Sequence, residues 1–465
     1  MSNSKRKLTR RDFFRLAGIG SGATAAVSAA KASGEEKSAS VENKVDPAGR
    51  PERPWWVRTV DEPTMEIDWD RMERFNEREG SVRGPGMANA VGEERADELR
   101  EIGDRVEQEY LQNNKPGYTL KDHALSSAHR VRPELSFLGP QNAPTPEERG
   151  VAKWEGTPEE AAKIIRAGMR HIGAATVGFV ELNENTRKLI YDVDADGKKL
   201  IFTDEEEAYE TEDARYIPNA AKYVIVFTIR MSEETMKRAP TELGSQTTGL
   251  SYRRGYEVLT ATQEFLRGLG YQCLGSTNSN GLGIAPGFAV LAGLGEMGRM
   301  NRLVTPEFGP MVRVFKLLTD LPVATDKPID AGIMEFCKRC KKCAEICEPG
   351  AISFEDEPTW EVRGQWNNSG HKAWFEDSTK CLAYWREEAA TNCGLCFSVC
   401  PFSKKDKAWV HDWVKAGAAT APFLDGFFRT MDDTFGYGEM KDNEAWWDLD
   451  LPEYGIDTGM TVRET

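Results

Sequence analysis

Cys337-Lys338-Arg339-Cys340-Lys341-Lys342-Cys343-Ala344-Glu345-Ile346-Cys347, followed by Cys381 and then Cys393-Gly394-Leu395-Cys396-Phe397-Ser398-Val399-Cys400-Pro401, holds eight of the nine cysteines of this chain. Three cysteines spaced two residues apart can face one iron-sulfur cubane from a tight loop, while the fourth, on the helix that follows, points to a second cubane. The interleaving assigns Cys337, Cys340, Cys343 and Cys400 to one [4Fe-4S] cluster and Cys347, Cys381, Cys393 and Cys396 to another. Structural zinc sites also use C-x2-C pairs but rarely in triplet runs, so zinc is the weaker reading. Thiols crowded into one segment do not read as a disulfide scaffold, and Cys273, which stands alone, reads as an inert core thiol.

This spacing resembles bacterial two-cluster ferredoxins, and it places a ferredoxin-like domain at residues 331–410 and a tail at 411–465 that wraps back onto the body. The wide gap between Cys381 and Cys393, and Glu348 ahead of Pro349, depart from the compact pattern without removing a ligand. Upstream, Thr157-Pro158-Glu159-Glu160 reads as a helix start, with Thr157 as N-cap and Glu160 closing a capping box. Apolar runs at 175–180 and 223–229 read as buried strands, residues 252–269 have helical periodicity, and 287–293 could be either. Residues 151–330 therefore read as one α/β domain. The Pro- and Gly-containing stretch 138–150 separates it from a charged helical and loop region at 54–150.

Gly293-Leu294-Gly295-Glu296-Met297-Gly298 fits G-x-G-x-x-G. A dinucleotide fold needs a continuous helix after the third glycine, and Asn301, Thr305-Pro306 and Gly309-Pro310 interrupt it. The better expectation is a close-approach loop, with Gly295 and Gly298 letting backbone lie against a broad flat cofactor.

At the N-terminus a basic opening leads through Arg10-Arg11-Asp12-Phe13-Phe14 into a mildly apolar stretch ending at Ala30-Lys31-Ala32. That order predicts a twin-arginine export signal at 1–32, a flexible linker at 33–53 and a mature protein on the outer face of the cytoplasmic membrane. A protein that binds thiolate clusters in the reducing cytoplasm must cross the membrane already folded, as this pathway allows. Across 465 residues the formal charge is −15, which repels phosphate backbones and disfavours nucleic acid as a partner. The mean hydropathy of −0.54, with no long uncharged apolar run, disfavours a transmembrane span.

Taken in order, the export signal, the α/β domain, the AGLGEMGR stretch running into RLVTPEFGPMVRV, the paired cysteine runs and the Trp-rich tail resemble the respiratory reductive dehalogenases. The resemblance implies a nitroreductase-like core that binds a corrinoid base-off, two [4Fe-4S] clusters that feed it, and reductive removal of halide from an organohalide in anaerobic respiration. It also implies a small integral-membrane anchor subunit and a respiratory electron donor. None of His123, His129, His171, His371 and His411 lies in the Asp-x-His-x-x-Gly motif that supplies a lower cobalt ligand elsewhere. By the same resemblance the catalytic set is Tyr252 as proton donor, Arg299 as the cation that lowers its pKa and Asn278 as the substrate-orienting amide. Tyr256 and Asn280 compete for two of those places. Trp360, Trp366 and Trp374 are candidate pocket walls. The rival readings are an epoxyqueuosine-reductase-like corrinoid enzyme and a two-cluster electron-transfer subunit.

Overall fold

The computed structural model describes residues 45–403, 415–417, 419–420, 425–434, 436 and 438–456. The expected export signal and His411 lie outside them. At the centre is a four-stranded antiparallel sheet built from β1 (Thr176–Glu181), β2 (Tyr223–Arg230), β3 (Cys273–Leu274) and β4 (Val312–Thr319), in the order β1-β2-β4-β3. β2 is apolar from Tyr223 to Phe227 and buried along nearly all its length, as suits a strand whose two faces are both covered. Ile225, Phe227 and Ile229 pack into one core with Ile165, Met169, Val258 and Leu259, and Val224 and Val226 pack into another with Phe288 and Val290.

The helices that cover the sheet follow from local signals. On the strands' first face lies a helix at Pro158–Ile172, whose capping box is formed as the sequence predicts: Glu160 N–H donates to Thr157 Oγ1 at 3.2 Å and Thr157 N–H to Glu160 Oε2 at 2.8 Å. Beside it lies the 28-residue helix Glu242–Leu269, which Thr241 caps and Gly270 ends in a left-handed turn. This helix begins ten residues before the expected start. Residues 242–251 carry Gly, Ser and Thr in place of an apolar stripe, yet most are buried, so periodicity could not show it. On the opposite face, the apolar run expected at 287–293 proves helical as far as Leu291, within the short helix Ala285–Leu291. A smaller sheet of Lys199–Thr203, Ala214–Pro218 and Tyr209–Glu210 flanks that side.

Of the linker expected at 33–53, residues 45–53 are described, and these are ordered. Asp46 Oδ1 accepts from the amides of Ala48 and Arg50, Arg50 Nε reaches Asp326 at 2.5 Å, and Ala48 is buried against the Pro158–Ile172 helix. The polar residues of 45–53 serve an ion-paired strap, not a free one. In the tail the Trp446 indole donates to Thr235 Oγ1 and that of Trp447 to Asp122 Oδ1, each at 3.2 Å. In the N-terminal region the helix Glu93–Gln112 packs against the helix Ser378–Glu387, which carries Cys381.

Candidate active site

The cysteine segment wraps three short helices round its thiols. Cys337 and Cys340 lie on the helix Ile333–Cys340, Cys343 on Lys342–Glu345 and Cys396 on Leu395–Ser398. Left-handed backbone at Lys341 and Gly394 breaks the chain between successive thiols and turns them inward. Cys337 and Cys343 each lie within electrostatic reach of the other and of Cys340 and Cys400, Cys381 and Cys393 each lie within reach of the other and of Cys347 and Cys396, and Cys343 with Cys396 joins the sets. These are the two sets into which the interleaved spacing divides them. Burial pushes the thiols of Cys337, Cys340 and Cys381 up to about 12 and that of Cys393 to about 11, so binding metal must expel their protons. Among the described residues no three His, Cys, Asp or Glu side chains converge on a point that one ion could occupy. Two loose groups of four suit a cubane, whose thiolates sit on separate irons, better than a single tetrahedral zinc.

Beside this segment is a cavity of about 1210 Å³, larger than the roughly 300–1,000 Å³ of most small-molecule sites. Cys347, Cys381, Cys393 and Cys396 reach its wall and the other four thiols do not. One cluster site is therefore proximal to the cavity and the other distal, with Cys343 and Cys396 between them.

Tyr252 and Tyr256, one turn apart on the Glu242–Leu269 helix, both line the cavity, with ring centres 6.2 Å apart. They differ in setting. Tyr256 is almost wholly buried, its hydroxyl meets Ser279, and burial raises its pKa although Arg132 opposes this. Tyr252 is half-buried, and the guanidinium carbon of Arg313 stands 5.3 Å from its ring centre. Arg313 points from β4 into the same space, donating from Nη2 to Thr248 Oγ1 at 3.0 Å, while its Nε is buried without an acceptor. Its charge is costly there: burial works to lower its pKa, with the Tyr252 side chain the main counterweight.

The other expected site residues fall elsewhere. Arg299, 1% exposed, does not line the cavity. Its guanidinium donates to the carbonyls of Cys337, Lys338, Ser353 and Glu355 at 2.6–3.1 Å and lies over the Trp374 ring, so it clamps the distal-cluster loop. The glycines of the G-x-G-x-x-G run serve a hairpin between Glu296–Met297 and Leu303–Val304. A side chain on Gly295 would strike Val304 O, and one on Gly298 would come within 2.6 Å of Val304 Cγ2, so these glycines fit a neighbouring strand where an open cofactor surface was expected. Asn278 turns its side-chain oxygen into its own loop, accepting from the amides of Asn280 and Gly281 at 3.0 and 3.1 Å, and thereby presents Ser279 and Asn280 to the cavity. Of the three tryptophans, Trp366 lines the cavity, Trp374 is core and Trp360 lies under Arg71.

With this geometry in place, comparison with known proteins is informative. The family model described as reductive dehalogenase subunit matches residues 52–135 and 132–323, and that of a 4Fe-4S double cluster binding domain matches 336–403. The chain belongs to the reductive dehalogenase family. It is 38% identical over 312 residues to a tetrachloroethene reductive dehalogenase of Sulfurospirillum multivorans, covering 64% of this chain and 61% of that one. With a trichloroethene reductive dehalogenase of Dehalococcoides mccartyi it shares 29% identity, covering 96% and 98%. A solved catabolic reductive dehalogenase superimposes with a TM-score of 0.63 at 24% identity, covering 87% of this chain but 51% of that chain. The match thus spans about half the length of the solved relative, and what that likeness shows is the fold.

For a reductive dehalogenase the residue that sequence reasoning missed is Arg313. It sits 61 positions beyond Tyr252, inside the apolar strand β4. The available signal was a lone arginine in a run whose neighbours are buried and whose partner strand is apolar, and such an arginine must face something polar. Arg299 drew attention because it ends a conspicuous motif, but four carbonyl acceptors consume its donors.

Proposed function

We propose that this protein is a corrinoid-dependent reductive dehalogenase that converts an organohalide, two electrons and a proton to the hydrogenated product and halide. The observation that carries the reading is one cavity bordered on one side by the proximal thiols and on another by Tyr252 beside Arg313. A pure electron-transfer subunit would need no such space.

The wall fits a corrinoid. Gly249 and Gly287 allow backbone to approach a flat macrocycle, and Thr248, Ser279 and Asn280 offer hydrogen bonds to peripheral carboxamides. His129 and His371 are the described histidines on the wall, neither in the ligand motif, and burial pushes His371 down to about 4, so it is neutral near pH 7. The lack of the ligand motif favours corrinoid binding without a histidine from the protein. When bound, a corrinoid supplies a low-valent cobalt centre able to deliver two electrons to a carbon-halogen bond.

The residues of the chain then manage the charge. The electron pair of the carbon-halogen bond leaves with the halogen, and the Tyr252 hydroxyl gives its proton to carbon, forming the new carbon-hydrogen bond. Arg313 stabilises the phenolate left behind. Tyr256, with its hydroxyl on Ser279, holds the loop of Asn278–Asn280 in place. Cys337, Cys340, Cys343 and Cys400 would hold the distal cluster and Cys347, Cys381, Cys393 and Cys396 the proximal one, and the pair would supply one-electron transfer toward the cavity. Trp366 and Trp385 line the substrate end as apolar walls, which suits small organohalides such as the chlorinated ethenes after which the relatives are named.

The paired arginines and small-residue tail of residues 1–32 support twin-arginine export to the outer face of the cytoplasmic membrane. Among the described residues no helix is long and apolar enough to cross a membrane, which favours attachment through a separate small membrane subunit that relays electrons from a respiratory donor. The test is cobalt, iron and acid-labile sulfide analysis of anaerobically reconstituted protein, with turnover of chlorinated ethenes. About one cobalt and eight irons per chain with halide release is expected, and eight irons without cobalt despite added corrinoid would return the protein to electron transfer.

A further inference from the structure

Three cations stand round the two tyrosines without an anion. The guanidinium carbon of Arg132 is 5.0 Å from the Tyr256 ring centre, that of Arg313 is 5.3 Å from Tyr252, and that of Arg83 lies 5.7 Å from the ring of Trp385. Arg83 is also within electrostatic reach of both Tyr256 and Arg313, so the three charges share one end of the cavity, and all three line it. Among the described residues none of them forms an ion pair. Arg313 donates to the neutral Thr248 hydroxyl and keeps a buried Nε without an acceptor. Other buried arginines of this chain have carboxylate or carbonyl partners: Arg166 with Asp326, Arg215 with Asp194, Arg238 with Glu234 and Arg299 with four carbonyls. Arg83 and Arg132 are exposed and their charges are solvated, but Arg313 keeps a buried donor unmet, and an anion held among the three guanidinium groups would satisfy it.

The proposed reaction generates such a ligand. Each turnover leaves two negative charges in the cavity, the Tyr252 phenolate and the departing halide. Arg313 can balance one. We propose that Arg83 and Arg132, together with the outer side of Arg313, form a binding site for the released halide ion, holding it as the carbon-halogen bond breaks and conducting it out of the cavity. The inference rests on the dehalogenase reading and assigns a role to residues which that reading leaves idle. A halide is a compact monoanion that accepts hydrogen bonds from several directions, and guanidinium groups present N–H donors without the heavy hydration of an ammonium. Once Tyr252 is reprotonated, the site again carries surplus positive charge and draws in the next anion, so accumulating halide should inhibit.

The test uses the holoenzyme and bromide as the probe. Bromide-81 line broadening, measured at constant ionic strength against fluoride, should show saturable binding, and bromide-soaked crystals should show an anomalous peak against the Arg83, Arg132 and Arg313 guanidinium groups. In an Arg83→Gln/Arg132→Gln variant with unchanged cobalt and iron content, bromide affinity should fall at least about tenfold. Wild-type enzyme that turns over an organohalide yet binds no bromide, or a variant that binds it equally well, overturns the halide site and leaves the dehalogenase reading standing. Loss of cobalt binding and turnover in the wild type would instead sink that reading. A third outcome separates a related source of charge: if the variant raises KM for a halogenated phenolate but not for a neutral chloroethene, and bromide binding is unchanged, the arginines serve an anionic substrate and the halide proposal fails.

Discussion

Seven of the eight thiols come from two runs of chain, 337–347 and 393–400, each shorter than a dozen residues. The cavity they border draws Tyr252 from a long helix, Arg313 from a central strand, Ser279 from a loop and Arg83 from the N-terminal region. In the first region the fold need only bend the chain locally, and sequence spacing already contains the geometry. In the second the fold does the assembling: the antiparallel pairing that puts β4 against β2, and the helix crossing that puts Tyr252 over β4, decide which side chains meet. Damage should therefore differ between the two. Losing a thiol removes one cluster as a unit, whereas losing a cavity residue leaves the metal content intact and changes the chemistry.

The sharpest break in that contrast is Cys381→Ala. Cys381 is the one thiol supplied from outside the two runs, on the Ser378–Glu387 helix that packs against Glu93–Gln112. Its removal should take iron from about eight to about four per chain and turnover to background, read by iron analysis and by halide release. Retention of eight irons would mean that another donor completes the proximal set.

Next in size is Tyr252→Phe. General acid catalysis contributes about 10²–10⁴-fold, so kcat should fall by that order while cobalt and iron remain. Tyr256→Phe should cost less than about tenfold, because its hydroxyl is engaged with Ser279 and its pKa is raised by burial. The reverse order of effects would make Tyr256 the donor.

The two arginines give a smaller but more discriminating pair. Arg313→Gln should lower kcat by about 10²-fold with metal content unchanged, the scale of losing one preorganised charge at the reacting centre. Arg299→Gln should act on the clusters. It strips donors from buried carbonyls of the distal loop, at about 1–3 kcal/mol for each acceptor left unmet, and so should speed iron loss to a chelator. If Arg299→Gln cut kcat with stable clusters, the assignment of the two arginines would be inverted.

How much of this was legible in the sequence follows the same division. The spacing of the cysteines, the capping box at Thr157 and the buried strands at Thr176–Glu181 and Tyr223–Arg230 each depend on residues near one another in sequence or on a local period. Tyr252 was reachable through family resemblance, and Arg313 was not, because a single arginine in a strand carries no periodic signal and its meaning arises only when β4 pairs beside the helix. The glycines at 295 and 298 were conspicuous for a real reason, close backbone approach, but sequence could not say that the approaching group is Val304 of the same hairpin.

Gly255 offers the mildest test and ties the fold to the site. It lies on the Glu242–Leu269 helix midway between Tyr252 and Val258, and a methyl group there would run into the ring of Phe315 on β4. Phe315 in turn packs edge-on to Tyr252 and Tyr256, at 6.0 and 6.1 Å between ring centres. Gly255→Ala gains helix propensity of just under about 1 kcal/mol, but overpacking at a tight interface costs about 1–3 kcal/mol, so the net should be a modest loss of stability, read as a lower denaturation midpoint. The helix must lift or Phe315 must rotate, and either shifts Tyr252 relative to Arg313. A small drop in kcat accompanying the stability loss would show that glycine at 255 sets the spacing of donor and cation. A loss of stability with kcat unchanged would show that the pair tolerates displacement, and that its alignment comes from the ligands that fill the cavity.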